Sequence, residues 1–360
     1  MKRLSIGRLL LYVFLGLVAR KIVIALISMH YVQQHMDEVS FDAMMTSESF
    51  KTTVASLPTN QGAFVMILNS HALNMTLNWL CNTEGIKGVH ERSLVVTLDK
   101  KAADTLSDLW PNIRQLNWPV PSLKNPFNYG DGAYQLFYLF RANLARALLA
   151  SSKSFWMIQQ DTFWADSLSS VDVDARSEDI IFDRASEVGD LIAGGYYYAK
   201  PSPSALAYFE RLSKDISWWY APDNAYMTSL CELSGLASCG GLPFSLITNW
   251  YWLHADPTNT SPSFIQFDGE TNLGGKLGKM KQLGFYFLKE DGKTCDRRSV
   301  ENAYKLLNER TSSWSHLASS SQKQFKLYQD IVDSMYSNSW TRWFLNRFMF
   351  PYAHYCMLSF

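Results

Sequence analysis

The stretch Gln159-Gln160-Asp161 directly follows a short apolar run, Phe155 to Ile158. An apolar strand that runs into a short acidic loop presents its carboxylate at the carboxyl end of a sheet, where ligands bind in α/β proteins. A hard cation that bridges a diphosphate takes oxygen ligands of this kind, usually one or two carboxylates together with phosphate oxygens. The plain alternative is a capped strand end with a solvated Asp161, and the spacing alone leaves both open.

Polar residues follow two other apolar runs in the same way. Asn69 and His71 come after the run Ala63 to Leu68, and Asp99 comes after the run Leu94 to Leu98. If these runs are neighbouring parallel strands, their polar ends meet at one edge of the sheet. We therefore expect these side chains to line one pocket.

The elements that would position these residues alternate between two patterns. Continuous apolar runs of this length are typical of strands that are buried on both faces of a parallel sheet. Segments with helical spacing lie between them, among them Ala72 to Cys81, Lys101 to Trp110 and Ala133 to Leu149. Further strands are expected over Ile180 to Phe182 and Ile192 to Ala199. This order predicts an α/β domain with right-handed crossovers and a mostly parallel, mixed sheet flanked by helices.

The composition excludes several classes of protein. The chain has 360 residues, 33 basic and 33 acidic, and 47% of its residues are hydrophobic. The absence of net charge argues against a nucleic-acid partner, and the apolar content argues against a disordered protein. No dinucleotide fingerprint follows the first strand, and the P-loop, nucleophile-elbow and zinc-protease signatures are absent.

The order of these segments resembles that of the nucleotide-diphospho-sugar transferases, which are glycosyltransferases of the GT-A fold. Residues 138–164 are similar to the helix and strand that lead into the family's Asp-x-Asp loop. Ile180 to Asp183 and Ile192 to Pro201 resemble its next two strands, and Asp223-Asn224 stands where the family tends to carry Asp-Gln. The resemblance covers residues 62–290 and implies a GT-A-like, Rossmann-type single domain.

The resemblance implies an enzyme of the hexosyl- or pentosyltransferase class. Its donor would be a nucleoside-diphosphate sugar, with a UDP-sugar expected, and its acceptor a hydroxyl of a glycan or glycoprotein. Relatives retain the anomeric configuration, so retention is expected here. The alternative is an inactive GT-A-fold protein that binds a glycan or a partner. A glycoside hydrolase fits less well, because it needs two carboxylates across a cleft without a nucleotide pocket.

The resemblance also implies roles for single residues. The catalytic carboxylates would be Asp161, which is aimed at the pyrophosphate, and Asp183 and Asp223, which would contact sugar hydroxyls or assist at the anomeric carbon. The residues that would bind the nucleotide sugar are Asn69, His71, Asp99, Arg141, Gln159, Gly194, Gly195 and Lys276. Among them, the glycines would let the backbone approach the donor, and the cations would neutralise the diphosphate. For the carboxylates Asp161, Asp183 and Asp223 and for Arg141 and Lys276 the alternative is an exposed surface position, and for the two glycines it is a strand bulge.

One departure from the family concerns the metal. The family's Asp-x-Asp is here Gln159-Gln160-Asp161, which keeps only the second carboxylate. The resemblance implies Mn²⁺ or Mg²⁺ bound by Asp161, with His254 as a late metal ligand or an acceptor contact. A Gln carbonyl oxygen can coordinate a cation but brings no charge to hold it. Either Asp161 binds the cation while the diphosphate supplies most of the charge, or the metal site has weakened.

The N-terminus is apolar behind a basic flank. Leu9 to Ala19 forms one run, and after Arg20 and Lys21 a second run extends from Ile22 to Met29. A bilayer span takes about 20 residues, so the runs suffice only together with the two charges, each of which costs about 2.5–3.5 kcal/mol at mid-membrane. The basic flank favours a type II signal-anchor. A cleaved signal peptide and an amphipathic helix are the alternatives.

An anchor or signal peptide would place the rest of the chain in the secretory lumen. We therefore expect a Golgi or ER membrane protein with a lumenal catalytic domain, a secreted protein being the alternative. In the lumen the sequons at Asn74 and Asn259 become usable for glycosylation. Cys231 and Cys239 are close enough in sequence to be candidates for a disulfide in that oxidising compartment.

The chain divides into four predicted segments. A membrane segment is expected over residues 1–30. A stem is expected over residues 31–61, where the sequence is polar and shows no clear hydrophobic period. The transferase domain is expected over 62–300. A helical extension follows over 301–360.

Overall fold

The computed structural model describes residues 6–59, 61–127, 130–185, 191–233, 235–254, 261–267, 275–309, 327, 330–331, 333–349 and 351. The strands in these ranges are β1 (Ala63–Leu68), β2 (Ser93–Thr97), β3 (Arg114–Asn117), β4 (Phe155–Met157), β5 (Thr162–Trp164), β6 (Ile180–Arg184), β7 (Ile192–Ala199), β8 (Cys239–Gly241), β9 (Ile247–Asn249) and β10 (Phe264–Gln266). The α-helices are α1 (Ile6–His35), α2 (Phe41–Thr46), α3 (Glu48–Ala55), α4 (Leu73–Thr83), α5 (Val89–Arg92), α6 (Lys100–Leu109), α7 (Gly132–Ala150), α8 (Pro203–Ile216), α9 (Asp223–Cys231), α10 (Gly275–Leu283), α11 (Arg297–Glu309) and α12 (Ser339–Phe344).

The central sheet has seven strands in the order β3-β2-β1-β4-β7-β6-β8. Its strands are parallel except β7, which runs antiparallel to both β4 and β6. Side chains of β1 are buried on both faces: Val65 and Ile67 belong to one apolar cluster, and Phe64, Met66 and Leu68 belong to the other. A strand that is buried on both faces must be apolar throughout, and this is why the strand could be predicted from its apolar run. The predicted α/β class with a mostly parallel sheet is confirmed.

A change in chain direction occurs between β1 and β4. The chain leaves β1 for β2 on one side and later returns to β4 on the other side. The carboxyl ends of β1 and β4 therefore border a topological switch point, which is where open α/β sheets bind their ligands. The polar residues that follow these two strands meet at this place.

A small second sheet holds the loop after β4. It has the order β5-β10-β9, and β5 begins at Thr162, directly after Asp161. The backbone N–H of Phe267, the residue after β10, donates to the carbonyl oxygen of Asp161 at 2.8 Å. The loop is thus fixed between the end of β4 and the start of β5.

Helix α1 is continuous and has two different halves. In the first half Leu9 and Phe14 are more than half exposed. In the second half Lys21, Ala25 and Val32 are buried, and this part packs against α7. Among the described residues, this N-terminal segment is long and apolar enough to cross a membrane, judged by length and composition alone. An N-terminal membrane anchor is compatible with it.

The buried position of Lys21 bears on the membrane prediction. Its Nζ donates to the carbonyl oxygen of Tyr220 at 3.3 Å and lies 4.9 Å from the centre of the Tyr220 ring. The charge of Lys21, between the two apolar runs, was expected to count against a membrane span. In the structure this charge is instead directed at the folded domain and partnered there.

The predicted stem is helical in the structure. Ser40 and Ser47 accept hydrogen bonds from the backbone N–H groups three residues later and so begin α2 and α3. Met44 and Phe50 of these helices are buried in the core. Helices this short carry too few turns to show a period in the sequence. The segment boundaries at residues 30, 61 and 300 stay a prediction.

Two disulfides are present in the structure. Cys231 pairs with Cys239, as the sequence suggested, and closes the turn between α9 and β8. Cys81 pairs with Cys295, which links α4 to a site 214 residues away. No sequence pattern relates two cysteines at that distance, so this pair was not predicted.

We expect Gly132→Val to lower the free energy of unfolding by about 1–3 kcal/mol, because a side chain at Gly132 has no room. A Cβ there would lie 2.6 Å from the Cβ of Tyr31 and 3.2 Å from the Cα of Ser28, both on α1. The measurement is a thermal melt of the full chain in detergent. Gly85→Val is the control, since a Cβ at Gly85 meets no atom within 4 Å. Equal melting of the two variants would show that the second half of α1 does not pack as described.

Candidate active site

A cavity of about 250 Å³ lies at the switch point between β1 and β4. Its walls come from the ends of these strands, the start of α4, one face of α7, the loop after β4 and the start of α10. Six residues that the sequence singled out line it: Asn69, His71, Arg141, Gln159, Asp161 and Lys276. The rule that ligands bind at strand ends therefore located the cavity correctly.

Asp161 and Lys276 form an ion pair in this cavity. The Nζ of Lys276 lies 2.5 Å from Oδ2 of Asp161. The aspartate side chain is 5% exposed and the lysine side chain is 38% exposed. Lys276 is the second residue of α10, after Gly275 with φ +75°. A buried carboxylate thus holds a partly exposed ammonium at the mouth of the cavity.

Gln159 is held in place by three hydrogen bonds. Its side-chain Oε1 accepts from Nε2 of Gln266 at 2.7 Å. Its backbone oxygen accepts from the hydroxyls of Tyr196 at 2.9 Å and Thr162 at 2.8 Å. Neither Gln266 nor Tyr196 was predicted as a site residue. Tyr196 lies within the predicted strand of residues 192–199. Gln266 lies in the three-residue strand β10, and no sequence pattern there predicts a site residue.

Protein atoms occupy the space in front of Gly194 and Gly195. A Cβ on Gly195 would lie 2.7 Å from Gln266 Nε2 and 3.0 Å from Gln159 Oε1. Gly194 has φ +83°, a conformation that side chains rarely adopt, and its Cβ would meet Asn224 at 2.8 Å. The positive φ and the close approach of Asn224 account for glycine at position 194, whereas a side chain at position 195 would displace the amides of Gln266 and Gln159. Contact of either glycine with a donor sugar stays a prediction.

Asp183 is buried and positions this part of β7. Its two oxygens accept from the backbone N–H groups of Gly194 at 2.8 Å and Tyr196 at 2.9 Å. Burial raises the pKa of Asp183 to about 7, although these N–H groups favour the charged form and lower the pKa. The carboxylate therefore fixes the backbone beside the cavity, and it is not among the residues that line the cavity.

Arg141 and Asp223 form a buried ion pair. The Nη1 of Arg141 lies 2.6 Å from Oδ2 of Asp223, and its Nη2 donates to the carbonyl oxygen of Gly194 at 2.8 Å. Both side chains are at most 6% exposed. Burial alone would lower the pKa of Arg141, but the carboxylate of Asp223 raises it above its usual value. This pair connects α7, β7 and α9 next to the cavity.

Asn69, His71 and Asp99 shape the ends of β1 and β2. Asn69 donates to the carbonyl oxygen of Leu123 at 2.9 Å and accepts from the backbone N–H of His71 at 3.0 Å. Asp99 caps α6 by accepting from Ala102 at 2.9 Å. Asp99 does not line the cavity, whereas the exposed His71 does. Of the three, His71 has the side chain best placed to meet a ligand.

Three other predicted positions have different outcomes. His254 ends a short 3₁₀ turn, Trp250–His254, but its side chain lies outside what the structure describes. Asn259 also lies outside the described residues. Asn74 is exposed on α4 and precedes Met75, which lines the cavity. The glycosylation of Asn74 stays a prediction that its exposure allows.

The model of the nucleotide-diphospho-sugar transferase family matches residues 88–283, which is more than half of the chain. The chain belongs to this family. The resemblance seen in the sequence is thereby confirmed, and with it the GT-A-like fold class and the nucleotide-sugar glycosyltransferase family.

Several solved glycosyltransferase structures match parts of the chain. The galactosyltransferase LgtC, solved with donor and acceptor sugar analogues, is 11% identical, with a TM-score of 0.44 over 71% of this chain and 99% of LgtC. GlyE from Streptococcus pneumoniae TIGR4 is 8% identical, with a TM-score of 0.46 over 68% of this chain and 63% of GlyE. The bifunctional glycosyltransferase WbbM is 10% identical, with a TM-score of 0.41 over 71% of this chain and 51% of WbbM. The chain thus spans about half of WbbM and less than two thirds of GlyE. No curated protein matches the chain.

GT-A glycosyltransferases commonly use a divalent metal ion, and the described part of this site does not fit one. Within the described ranges, no group of three or more His, Cys, Asp or Glu side chains is placed to hold a metal. The carboxylate of Asp161 is paired with Lys276, and the amide oxygen of Gln159 accepts from Gln266. Binding of Mn²⁺ or Mg²⁺ by Asp161 and His254 stays a prediction of the sequence.

We expect Arg141→Met to lower the free energy of unfolding by about 3–5 kcal/mol, because it leaves Asp223 charged and buried without a partner. Arg146→Met is the matched control on the same helix. Arg146 pairs with Glu210, whose side chain is 59% exposed, so its loss is expected to cost about 1 kcal/mol or less. Chemical denaturation of both variants makes the comparison. An Arg141→Met variant as stable as the control would contradict the buried pair and favour a ligand-binding arginine.

We expect the stability difference between the wild type and Asp183→Asn to depend on pH. The pKa of Asp183 is raised to about 7 in the folded state. An Asp in the unfolded chain has a pKa of about 3.9, so between these two pH values the folded chain holds a proton that the unfolded chain has lost. The stability of the wild type relative to the variant should therefore fall as pH rises from about 4 to 7, by on the order of 4 kcal/mol in total. Denaturation curves at several pH values measure this difference. A constant or rising difference would show that Asp183 is an ordinary ionised carboxylate.

Proposed function

We propose that this protein transfers a sugar from a nucleoside-diphosphate sugar to a hydroxyl of a glycan or glycoprotein. Membership of the family supports the reaction class. The observation that carries the proposal is the cavity at the β1/β4 switch point, where the loop Gln159–Asp161 and Lys276 face the same space. Open α/β sheets bind nucleotides at such a point.

The lining of the cavity suits the two parts of a nucleotide. The rings of Phe127, Tyr134 and Phe137 form one aromatic cluster on the wall of the cavity. Aromatic rings stack with nucleobases regardless of the base. The polar residues Asp161 and Lys276 would then face the diphosphate. We assign the base to the aromatic wall and the diphosphate to the polar one.

The reaction places its main electrostatic demand on the leaving group. The bond between the anomeric carbon and the diphosphate oxygen breaks, and its electron pair leaves with the diphosphate. The acceptor oxygen bonds to the anomeric carbon, and its proton is released to solvent. Because negative charge grows on the diphosphate, a cation fixed beside it stabilises the transition state more than the ground state.

The finer assignments rest on the family resemblance. We propose a UDP-sugar as donor, a hexosyl or pentosyl group as cargo, and retention of configuration. The contact residues proposed for this donor are His71, Gln159, Asp161 and Lys276, with Asp183 and Asp223 positioning the backbone and Arg141.

We further propose a type II membrane protein of the Golgi or ER with a lumenal catalytic domain. The exposed apolar half of α1 supports an anchor. Two disulfides support an oxidising compartment, since such bonds are rare in the cytosol. The exposure of Asn74 in a glycosylation sequon agrees with the same location.

We expect the purified full chain in detergent to hydrolyse or transfer from at least one nucleotide sugar, and Asp161→Asn to lower that rate by about a hundredfold or more, as losses of electrostatic groups do. The readout is release of nucleoside diphosphate from a panel of nucleotide sugars, with and without Mn²⁺. Asp174→Asn, at an exposed loop position away from the cavity, is the matched control. A folded chain that neither cleaves nor binds any nucleotide sugar would favour the inactive, glycan-binding alternative.

A further inference from the structure

The positive charge available to a diphosphate in this cavity comes from Lys276. Among the described residues that line the cavity, Arg141 and Lys276 have basic side chains. The guanidinium of Arg141 is buried and bonded to Asp223 and to the Gly194 carbonyl. The ammonium of Lys276 is partly exposed, and an ammonium has three donors, so it can bind a carboxylate and phosphate oxygens together.

Four oxygens of the loop after β4 are already engaged by protein donors. The backbone oxygen of Gln159 accepts two hydroxyls, and its side-chain oxygen accepts from Gln266. The backbone oxygen of Asp161 accepts from Phe267, and its Oδ2 binds Lys276. A divalent ion needs several oxygens whose lone pairs point at one place. The four oxygens named above face neighbouring side chains and one backbone N–H group instead.

The charges of the site agree with an ammonium in place of a metal. In the family pattern two carboxylates face one divalent cation, and these charges sum to zero. Here Gln159 has replaced one carboxylate, and the remaining Asp161 faces one ammonium, which again sums to zero. The carboxylate that remains in this loop is thus neutralised by an ammonium of the chain itself.

We propose that Lys276, held by Asp161, is the cation that neutralises the diphosphate, so that this chain binds its nucleotide without a divalent metal ion. The inference rests on the proposed function, because it concerns the same cavity. In the transfer step Lys276 keeps its proton and donates hydrogen bonds to the diphosphate as the glycosidic electron pair arrives there. The proton of the acceptor hydroxyl is released to solvent, as before. Asp161 acts through Lys276 and is a positioning residue for it.

The test measures binding of UDP, GDP, CDP and dTDP to the full chain in detergent by calorimetry, in excess EDTA and then in Mn²⁺. The expected result is binding of at least one of them in EDTA, with an affinity that Mn²⁺ does not improve. Lys276→Ala should weaken that binding by about ten- to a hundredfold, the usual range for a charge-assisted hydrogen bond. Lys276→Arg, which keeps the charge, should lose less.

A matched control and a reciprocal variant complete the test. Lys281→Ala removes a lysine from the same helix whose ammonium lies over the ring of Tyr286, and it should leave binding unchanged. The double variant Gln159→Asp/Lys276→Ala restores two carboxylates and removes the ammonium, so its binding should require Mn²⁺. Melting curves confirm that each variant is folded.

The possible failures are distinguishable. Wild-type binding that is lost in EDTA and restored by Mn²⁺ would overturn this inference and leave the proposed function standing. Unweakened binding by Lys276→Ala in EDTA would also overturn it. No binding of any nucleoside diphosphate in either condition would overturn the proposed function itself, and this inference with it.

Discussion

The parallel pairing of β1 with both β2 and β4 is the constraint on which the site depends. Because β1 lies between these strands and is covered on both faces, its side chains are apolar throughout. Its first polar residue, Asn69, therefore comes where the strand leaves the sheet. The same holds for β4, whose polar loop begins at Gln159. Since parallel strands end at the same edge, the two polar segments face one cavity.

The fold was predictable where burial leaves a strong pattern. The runs at 63–68 and 94–98 and the long helix α7 were readable because each is apolar over several consecutive or helically spaced residues. The strands β5, β8, β9 and β10 have three residues each, too few for any period to show. Helices α2 and α3 were not predicted for the same reason. The equally short strand β4 was found because its three residues are all apolar and continue into Ile158.

The location of the site was predictable, whereas the partners of its residues were not. A polar residue at a strand end indicates that its side chain lies near the cavity. It does not indicate which groups form hydrogen bonds or ion pairs with that side chain. Arg141 finds Asp223 at a separation of 82 residues, and Asp183 finds the backbone of a bulged strand. These partners depend on the register of β6 and β7 and on the start of α9. A single sequence does not show which residues the fold brings together. An arginine or aspartate that has a structural partner therefore cannot be told by sequence from one that binds a ligand.

Most of the polar groups around the cavity are therefore occupied before any ligand arrives, and this has a consequence for catalysis. Groups that are already oriented cost no reorganisation when charge develops in the transition state, so fixed side chains stabilise it better than mobile ones. The free-energy cost of orienting these groups arises during folding, when Asp161, Asp183 and the Arg141–Asp223 pair are removed from water. Lys276 combines the two requirements, since Asp161 fixes its ammonium while the side chain stays partly exposed. A cation supplied by the chain is also present in every folded molecule, whereas a bound ion depends on its concentration in the compartment.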